Sequence, residues 1–149
     1  MEKLVYLLGD AEAGTPPRER HDLRAKVFAA VPALEAAGAR DLTISVADVE
    51  DPSIDRIAQM NAHGLIDGQI SCWVDQLDTR AAIEEVVAGL AKRHAGYLVT
   101  ESILREYPKR TWARGEASPG VTIFTTFPKP DALDFETFYA RWHLSLIHI

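Results

Sequence analysis

Gly68–Thr100 reads GQISCWVDQLDTRAAIEEVVAGLAKRHAGYLVT, and a change of period within it decides the class of fold. From Gly68 to Val74 the residues alternate, with Ile70, Cys72 and Val74 on one face and Gln69, Ser71 and Trp73 on the other. A period of two describes a strand with one face in a core. Asp78, a residue type that caps helices, marks the switch to a longer period. Ile83, Val86, Val87 and Leu90 follow at i, i+3, i+4 and i+7, the apolar stripe of a helix packed on one side. Lys92, Arg93 and His94 complement a negative helix end and Gly96 supplies a left-handed stop, so the pattern predicts a helix over Thr79–Arg93. Tyr97–Thr100 then reads as a strand that could extend to Leu104.

Upstream, Leu4–Leu8 is a short continuous apolar run, which fits a buried strand. Gly9-Asp10 ends it and Gly14-Thr15-Pro16-Pro17 forms a loop. Leu23, Val27 and Val31 recur at four-residue spacing with Phe28 beside them, predicting a helix near Asp22–Val31. Pro32 would kink that helix or start a second piece, which Gly38 would close. Leu42–Val46 alternates strictly and reads as a strand. The acidic Asp48–Ser53 stretch with Pro52 ends it, and Ile54–Ala62 could form a helical turn or two. That connection is long for a hairpin and is a candidate functional loop. The order β-α-β-β-α-β is the split βαβ pattern of an α+β, ferredoxin-like fold. Its expected core holds Leu4, Tyr6, Val27, Val31, Ile44, Ile70, Val86, Val87 and Leu90. Both helices belong on one face of an antiparallel sheet, which leaves the other face open to a partner.

Downstream, Tyr107–Pro119 is polar, bounded by prolines and without period. Gly120–His143, GVTIFTTFPKPDALDFETFYARWH, then repeats the layout of the N-terminus. Val121–Phe127 is a strand, Pro128-Lys129-Pro130 a turn, and Asp134 caps a helix bearing Phe135, Phe138, Tyr139 and Trp142. The expected organisation is a first domain over 1–106, a linker over 107–119 and the start of a second ferredoxin-like unit over 120–143. The strand at Val121–Phe127 would need a partner, and Ile123, Phe124 or Phe127 is expected against the first sheet.

The helix FYARWH at Phe138–His143, following a strand and short loop, resembles the EthD-like proteins of the dimeric α/β-barrel group. In that group a second His usually stands one turn after the Trp, followed by a small residue and a Pro. Leu146 occupies the matching place here. Leu144–Ile149, LSLIHI, is also what CTGTCTCTTATACACATC encodes, which resembles a transposase end of sequencing libraries. The expectation is therefore a non-native tail over 144–149, with a native apolar tail as the alternative. The resemblance implies a dimeric α/β-barrel type of fold, pairing through sheet faces as a homodimer or pseudo-dimer. It also implies a small cofactor-independent catabolic enzyme or accessory protein that binds a compact apolar or aromatic molecule. The alternative is a non-catalytic binding or assembly module that associates through the open sheet face, because one architecture hosts many activities.

Composition narrows the partners. A formal charge of −6 and a pI near 5.3 over 149 residues provide no basic field to neutralise phosphates, which argues against nucleic acid. No run approaches the roughly 20 apolar residues of a membrane span. Glu2 and Lys3 lead directly into Leu4–Leu8, too short for a signal-peptide core, and Cys72 is the single cysteine. Both point to a reducing, cytoplasmic setting.

By resemblance, His143 and Tyr139 are candidate catalytic groups, with His143 as general acid/base and Tyr139 presenting a hydroxyl. Trp142 and Phe138 would be pocket aromatics on the same helix. The plainer alternative makes Trp142 and Tyr139 core residues and His143 a helix-end residue. Trp73, among polar neighbours on its strand, is either a pocket wall or the seam where a second sheet packs. Arg110, with Lys109, Trp112 and Arg114, could receive an anionic group or simply be a solvated linker. Cys72 reads as a buried inert thiol. His21, His63 and His94 have no metal-ligand spacing. The glycines match neither a dinucleotide fingerprint nor a P-loop, and no Gly-x-Ser-x-Gly elbow occurs. No cofactor is expected.

Overall fold

The alternating run Gly68–Val74 lies inside the sheet, hydrogen-bonded on both edges. In the computed structural model, which describes residues 1–9, 21–47, 66–101, 103, 111–119 and 129–147, four strands form one sheet. They are β1 (Glu2–Gly9), β2 (Arg40–Val46), β3 (Gly68–Val74) and β4 (Arg93–Val99). Helix α1 (His21–Ala36) joins β1 to β2. A 3-10 turn (Leu77–Thr79) and helix α2 (Ala81–Ala88) join β3 to β4, and α3 (Phe135–Ile147) comes last. The strand order is β2-β3-β1-β4 and every neighbouring pair is antiparallel. This mixed α+β arrangement is compatible with a ferredoxin-like fold. Gly14–Pro17, Asp48–Ala62, Leu104, Lys109, Arg110, Val121–Phe127, His148 and Ile149, for which the sequence carries expectations, fall outside the described residues. The chain divides into two units, Met1–Pro119 and Gly120–Ile149.

In the first unit, one face of the sheet carries the core. Leu4, Tyr6 and Leu8 stand opposite Cys72, Ile70 and Gly68. Leu23, Val27 and Leu34 of α1, Ile83 and Val87 of α2, and Leu90 just beyond it join the same buried cluster. Of the expected core, Leu4, Tyr6, Val27, Ile70, Val87 and Leu90 are buried, while Val31, Ile44 and Val86 are only half-covered. Helical phase accounts for Val31. At about 3.6 residues per turn, Leu34 returns to the face of Leu23 after about three turns, whereas Val31 has rotated off it. Ile44 sits on an edge strand, and Val86 flanks the stripe set by Ile83 and Val87.

Helix α1 is one helix through Pro32 to Ala36, longer than the expected Asp22–Val31 and without a second piece. Pro32 lies on its exposed side. The close is the one Gly38 implied. Gly38 has φ +100°, its N–H donates to the Glu35 carbonyl, and the Ala39 N–H donates to the Leu34 carbonyl, both at 3.0 Å. These are the two bonds of a Schellman motif, with Leu34 and Ala39 supplying its apolar contact.

The expected helix over Thr79–Arg93 is shorter and later. Asp78 does not cap it but lies within the 3-10 turn, and Arg80 takes the N-cap position with no side-chain cap bond. Instead Thr79 Oγ1 donates to the Gln76 carbonyl at 2.8 Å, and the Arg80 guanidinium bonds the Leu77 carbonyl at 3.2 Å. The helix stops at Ala88, with Gly89 still right-handed. Arg93 and His94 therefore open β4 rather than complement a helix end. Gly96 is a strand residue opposite Tyr6. A Cβ there would lie 2.8 Å from Tyr6 Cε1, so the absent side chain makes room for a ring and does not provide a left-handed stop.

In the second unit, Asp134 caps α3 as expected. The Thr137 N–H donates to Asp134 Oδ1 at 2.7 Å, and that bond holds the Asp134 carboxyl below its ordinary range.

Candidate functional site

The register sorts the residues of the other sheet face into transverse rows. Arg40 of β2 stands opposite Trp73 of β3, Trp73 opposite Lys3 of β1, and Lys3 opposite Val99 of β4. The next row is Thr43, Ser71, Val5 and Tyr97, and the third is Ser45, Gln69, Leu7 and Ala95. This face is thus polar over β2 and β3 and apolar over β1 and β4. Tyr97 is 51% exposed, while Val5, Leu7, Trp73, Ala95 and Val99 are half-buried.

Two features concentrate chemistry at the first row. The Lys3 ammonium lies 5.5 Å from the centroid of the Trp73 ring, a cation–π distance, and also pairs with Glu101. On the opposite strand, Arg40 pairs with Asp75 at 2.6 Å. Beside Trp73 and Lys3 an open cleft of about 500 Å³ is bounded by Met1, Glu2, Leu98, Val99, Thr100, Glu101 and Ile103. Its volume falls in the usual range of small-molecule sites, and its wall is mixed, with Glu2, Lys3, Thr100 and Glu101 beside the apolar side chains. Leu98 and Ile103 are exposed there.

The core face holds groups of another kind. Tyr6 is 2% exposed and its hydroxyl has no hydrogen-bond partner among the described residues. Burial, with the Glu84 carboxylate as the next cause, pushes its pKa up to about 12. Cys72 is fully buried, and burial pushes its thiol up to about 11. It has the low thiolate character of an inert core cysteine. Asp67 is also buried. Its N–H donates to the Leu8 carbonyl and its carbonyl accepts from the Ala47 N–H, both at 2.8 Å. It ties together the ends of β1, β2 and β3. Nothing in Ile66-Asp67-Gly68 distinguishes this residue from an ordinary turn acid, because its burial comes from strands distant in sequence.

The sequence-derived site residues fall in both units. Trp73 lines the cleft of the first. Phe138, Tyr139, Trp142 and His143 lie on α3 of the second. Phe138 meets Tyr139 edge-on at 5.6 Å and Trp142 at 6.2 Å between ring centroids, and Phe135 stacks on Tyr139 at 6.4 Å. Phe138 and Trp142 are half-buried, while Tyr139 and His143 are exposed. Tyr139 is therefore not a core tyrosine within its own unit. Arg110 lies outside the described residues. Of its neighbours, Trp112 is half-buried and Arg114 pairs with Glu35. His94 is an exposed residue of β4. The sequence reading missed Lys3 and Arg40: Leu4–Leu8 is a continuous apolar run that assigns no face to Lys3, and only the register sets it beside Trp73.

Among the described residues, no group of three His, Cys, Asp or Glu side chains could hold a metal ion. No described helix is long and apolar enough to cross a membrane. No family model matches the chain, and no curated protein matches it.

Proposed function

We propose that the chain binds a compact apolar or aromatic molecule on the open sheet face around Trp73, as a cofactor-independent enzyme or accessory protein of catabolism. The reading takes the fold as the dimeric α/β-barrel type and the chain as EthD-like, on the motif at Phe138–His143. One observation supports it above the others: the cleft beside Trp73, bounded by exposed Leu98 and Ile103, on a face that has apolar side chains over two strands. Such surface gains about 25 cal/mol for each Å² of apolar area removed from water. An aromatic wall adds ring stacking. Independently of the Trp73 cleft, the resemblance at Phe138–His143 assigns acid/base roles to Tyr139 and His143 and aromatic contacts to Phe138 and Trp142, all within the second unit. Arg110 is a proposed anion contact.

The test is a titration of the whole chain with benzyl alcohol, followed by ligand-observed nuclear magnetic resonance. Saturable binding that weakens in Trp73→Ala, with the far-ultraviolet dichroism unchanged, is the expected result. The same binding in both proteins would reject Trp73 as the wall of the site. A search for turnover with Tyr139→Phe and His143→Gln separates catalysis from binding. Activity that is insensitive to both variants contradicts their assigned roles.

A second reading rests on Tyr97, whose ring is half-exposed at the centre of the apolar side. Here the face serves for association with a second copy, without catalysis. Light scattering over a concentration series distinguishes it. Association abolished by Tyr97→Lys favours this reading, and a monomer at all concentrations rejects it.

A further inference from the structure

We infer that the first row of the open face recognises an aromatic carboxylate, with the ring against Trp73 and the carboxylate on Lys3. This rests on the proposed binding of a compact aromatic molecule at the same cleft and names its chemical class.

Between Arg40↔Trp73 and Thr43↔Ser71 the register of β2 against β3 shifts, so Asp41 and Leu42 together face Cys72. This is a β-bulge, and Asp41 within it has φ +47°, a left-handed conformation that costs a residue with a side chain. Regular pairing would place Asp41 opposite Trp73. The bulge puts Arg40 there instead, exchanging an anion beside the indole for a cation. Bulges commonly re-aim a side chain in this way.

The indole consequently has a cation on each neighbouring strand, Arg40 on one side and Lys3 on the other. The carboxylates that balance them lie outside the row. Asp75 follows the end of β3 and Glu101 follows the end of β4. The Arg40–Asp75 pair is more than half exposed on both sides, and exposed pairs of this kind contribute little. The Lys3–Glu101 pair is less exposed, 15% and 33%, so a ligand's carboxylate shares the Lys3 ammonium with Glu101, and the ring's contact with Trp73 and Val99 decides the balance. Lys3 is the direct contact because it lines the cleft. Arg40 acts from the far edge of the indole through its field.

Titrating the whole chain with benzoate and with benzyl alcohol, by calorimetry, tests the assignment. Benzoate is expected to bind about tenfold more tightly, the usual scale of one charge-assisted hydrogen bond. Lys3→Met is expected to remove that preference while benzyl alcohol binding persists, Lys3→Arg to retain it, and Arg40→Met to reduce it. The preference should also fall with added salt. Should Lys3→Met fail to fold, Lys3→Arg and the salt series still decide the matter. Equal binding of the two probes, or a preference that survives both Lys3→Met and high salt, overturns the inference and leaves aromatic binding standing. Binding of neither probe overturns both.

Discussion

Gly96→Ala perturbs one contact whose geometry is fully specified. The added Cβ would lie 2.8 Å from Tyr6 Cε1, 3.1 Å from Cδ1 and 3.8 Å from Cζ. Carbon atoms pack favourably at about 3.5–4.0 Å, so the ring would have to retreat by roughly 0.7 Å. It has little room to do so, because Tyr6 is 2% exposed and part of the buried cluster of sheet and helices. Overpacking of this kind costs about 1–3 kcal/mol. Replacing a strand glycine would otherwise gain about 0.5–1 kcal/mol through the unfolded chain, so the net expectation is a loss of about 1–2 kcal/mol. Urea denaturation at constant m-value measures it. In a Tyr6→Leu background the clashing ring is gone and the penalty should disappear, giving a coupling of about 1–3 kcal/mol in the double-mutant cycle. A more stable Gly96→Ala, or additive effects in the cycle, would refute the packing of Gly96 over Tyr6.

Tyr6→Phe removes a buried hydroxyl that has no partner among the described residues and should leave stability unchanged or raise it by about 1 kcal/mol, read by the same denaturation. Raising the pH should destabilise the fold from about pH 9 to 12, because folded Cys72 (about 11 against 9.0) and Tyr6 (about 12 against 10.0) keep protons that the unfolded chain has released. Each contributes on the order of 2–3 kcal/mol, and Tyr6→Phe should blunt the upper half of that loss in a pH series of thermal melts. Leu90→Ala, at a site 7% exposed, should cost about 2–5 kcal/mol in urea. Asp134→Ala should lower helicity in α3 by circular dichroism. In the parent protein that cap should weaken only as the pH falls through the depressed carboxyl pKa.

The elements that were legible in the sequence are those whose pattern is local. Gly68–Val74 and Leu42–Val46 alternate because one face is buried, and Gly38 closes α1 with the two bonds its type implies. The β3–β4 connection departs from its sequence pattern because its residues have two uses. Basic residues after an apolar stripe suit a helix end, yet Arg93 and His94 begin a strand. A glycine after them suits a left-handed stop, yet Gly96 makes room for a ring more than eighty residues earlier in the chain. The same limit applies to the site. Trp73 was visible as an outward aromatic, but its flanking cations depend on strand order and on a bulge at Asp41. Neither leaves a mark on the sequence of β2. The buried state of Asp67 is likewise set by three strands meeting and not by its neighbours in the chain.

The central claim is that the sheet has one packed face and one face that binds a molecule around Trp73. Amide shift perturbation across the assigned whole chain, during titration with benzoate, tests it most directly. The expected pattern follows the register: shifts concentrated at Lys3, Val5, Trp73, Tyr97 and Val99, and small at the intervening Leu4, Tyr6 and Cys72. Shifts that ignore this alternation, that gather on the helix-side residues Val27, Ile83 and Val87, or that never saturate would contradict it.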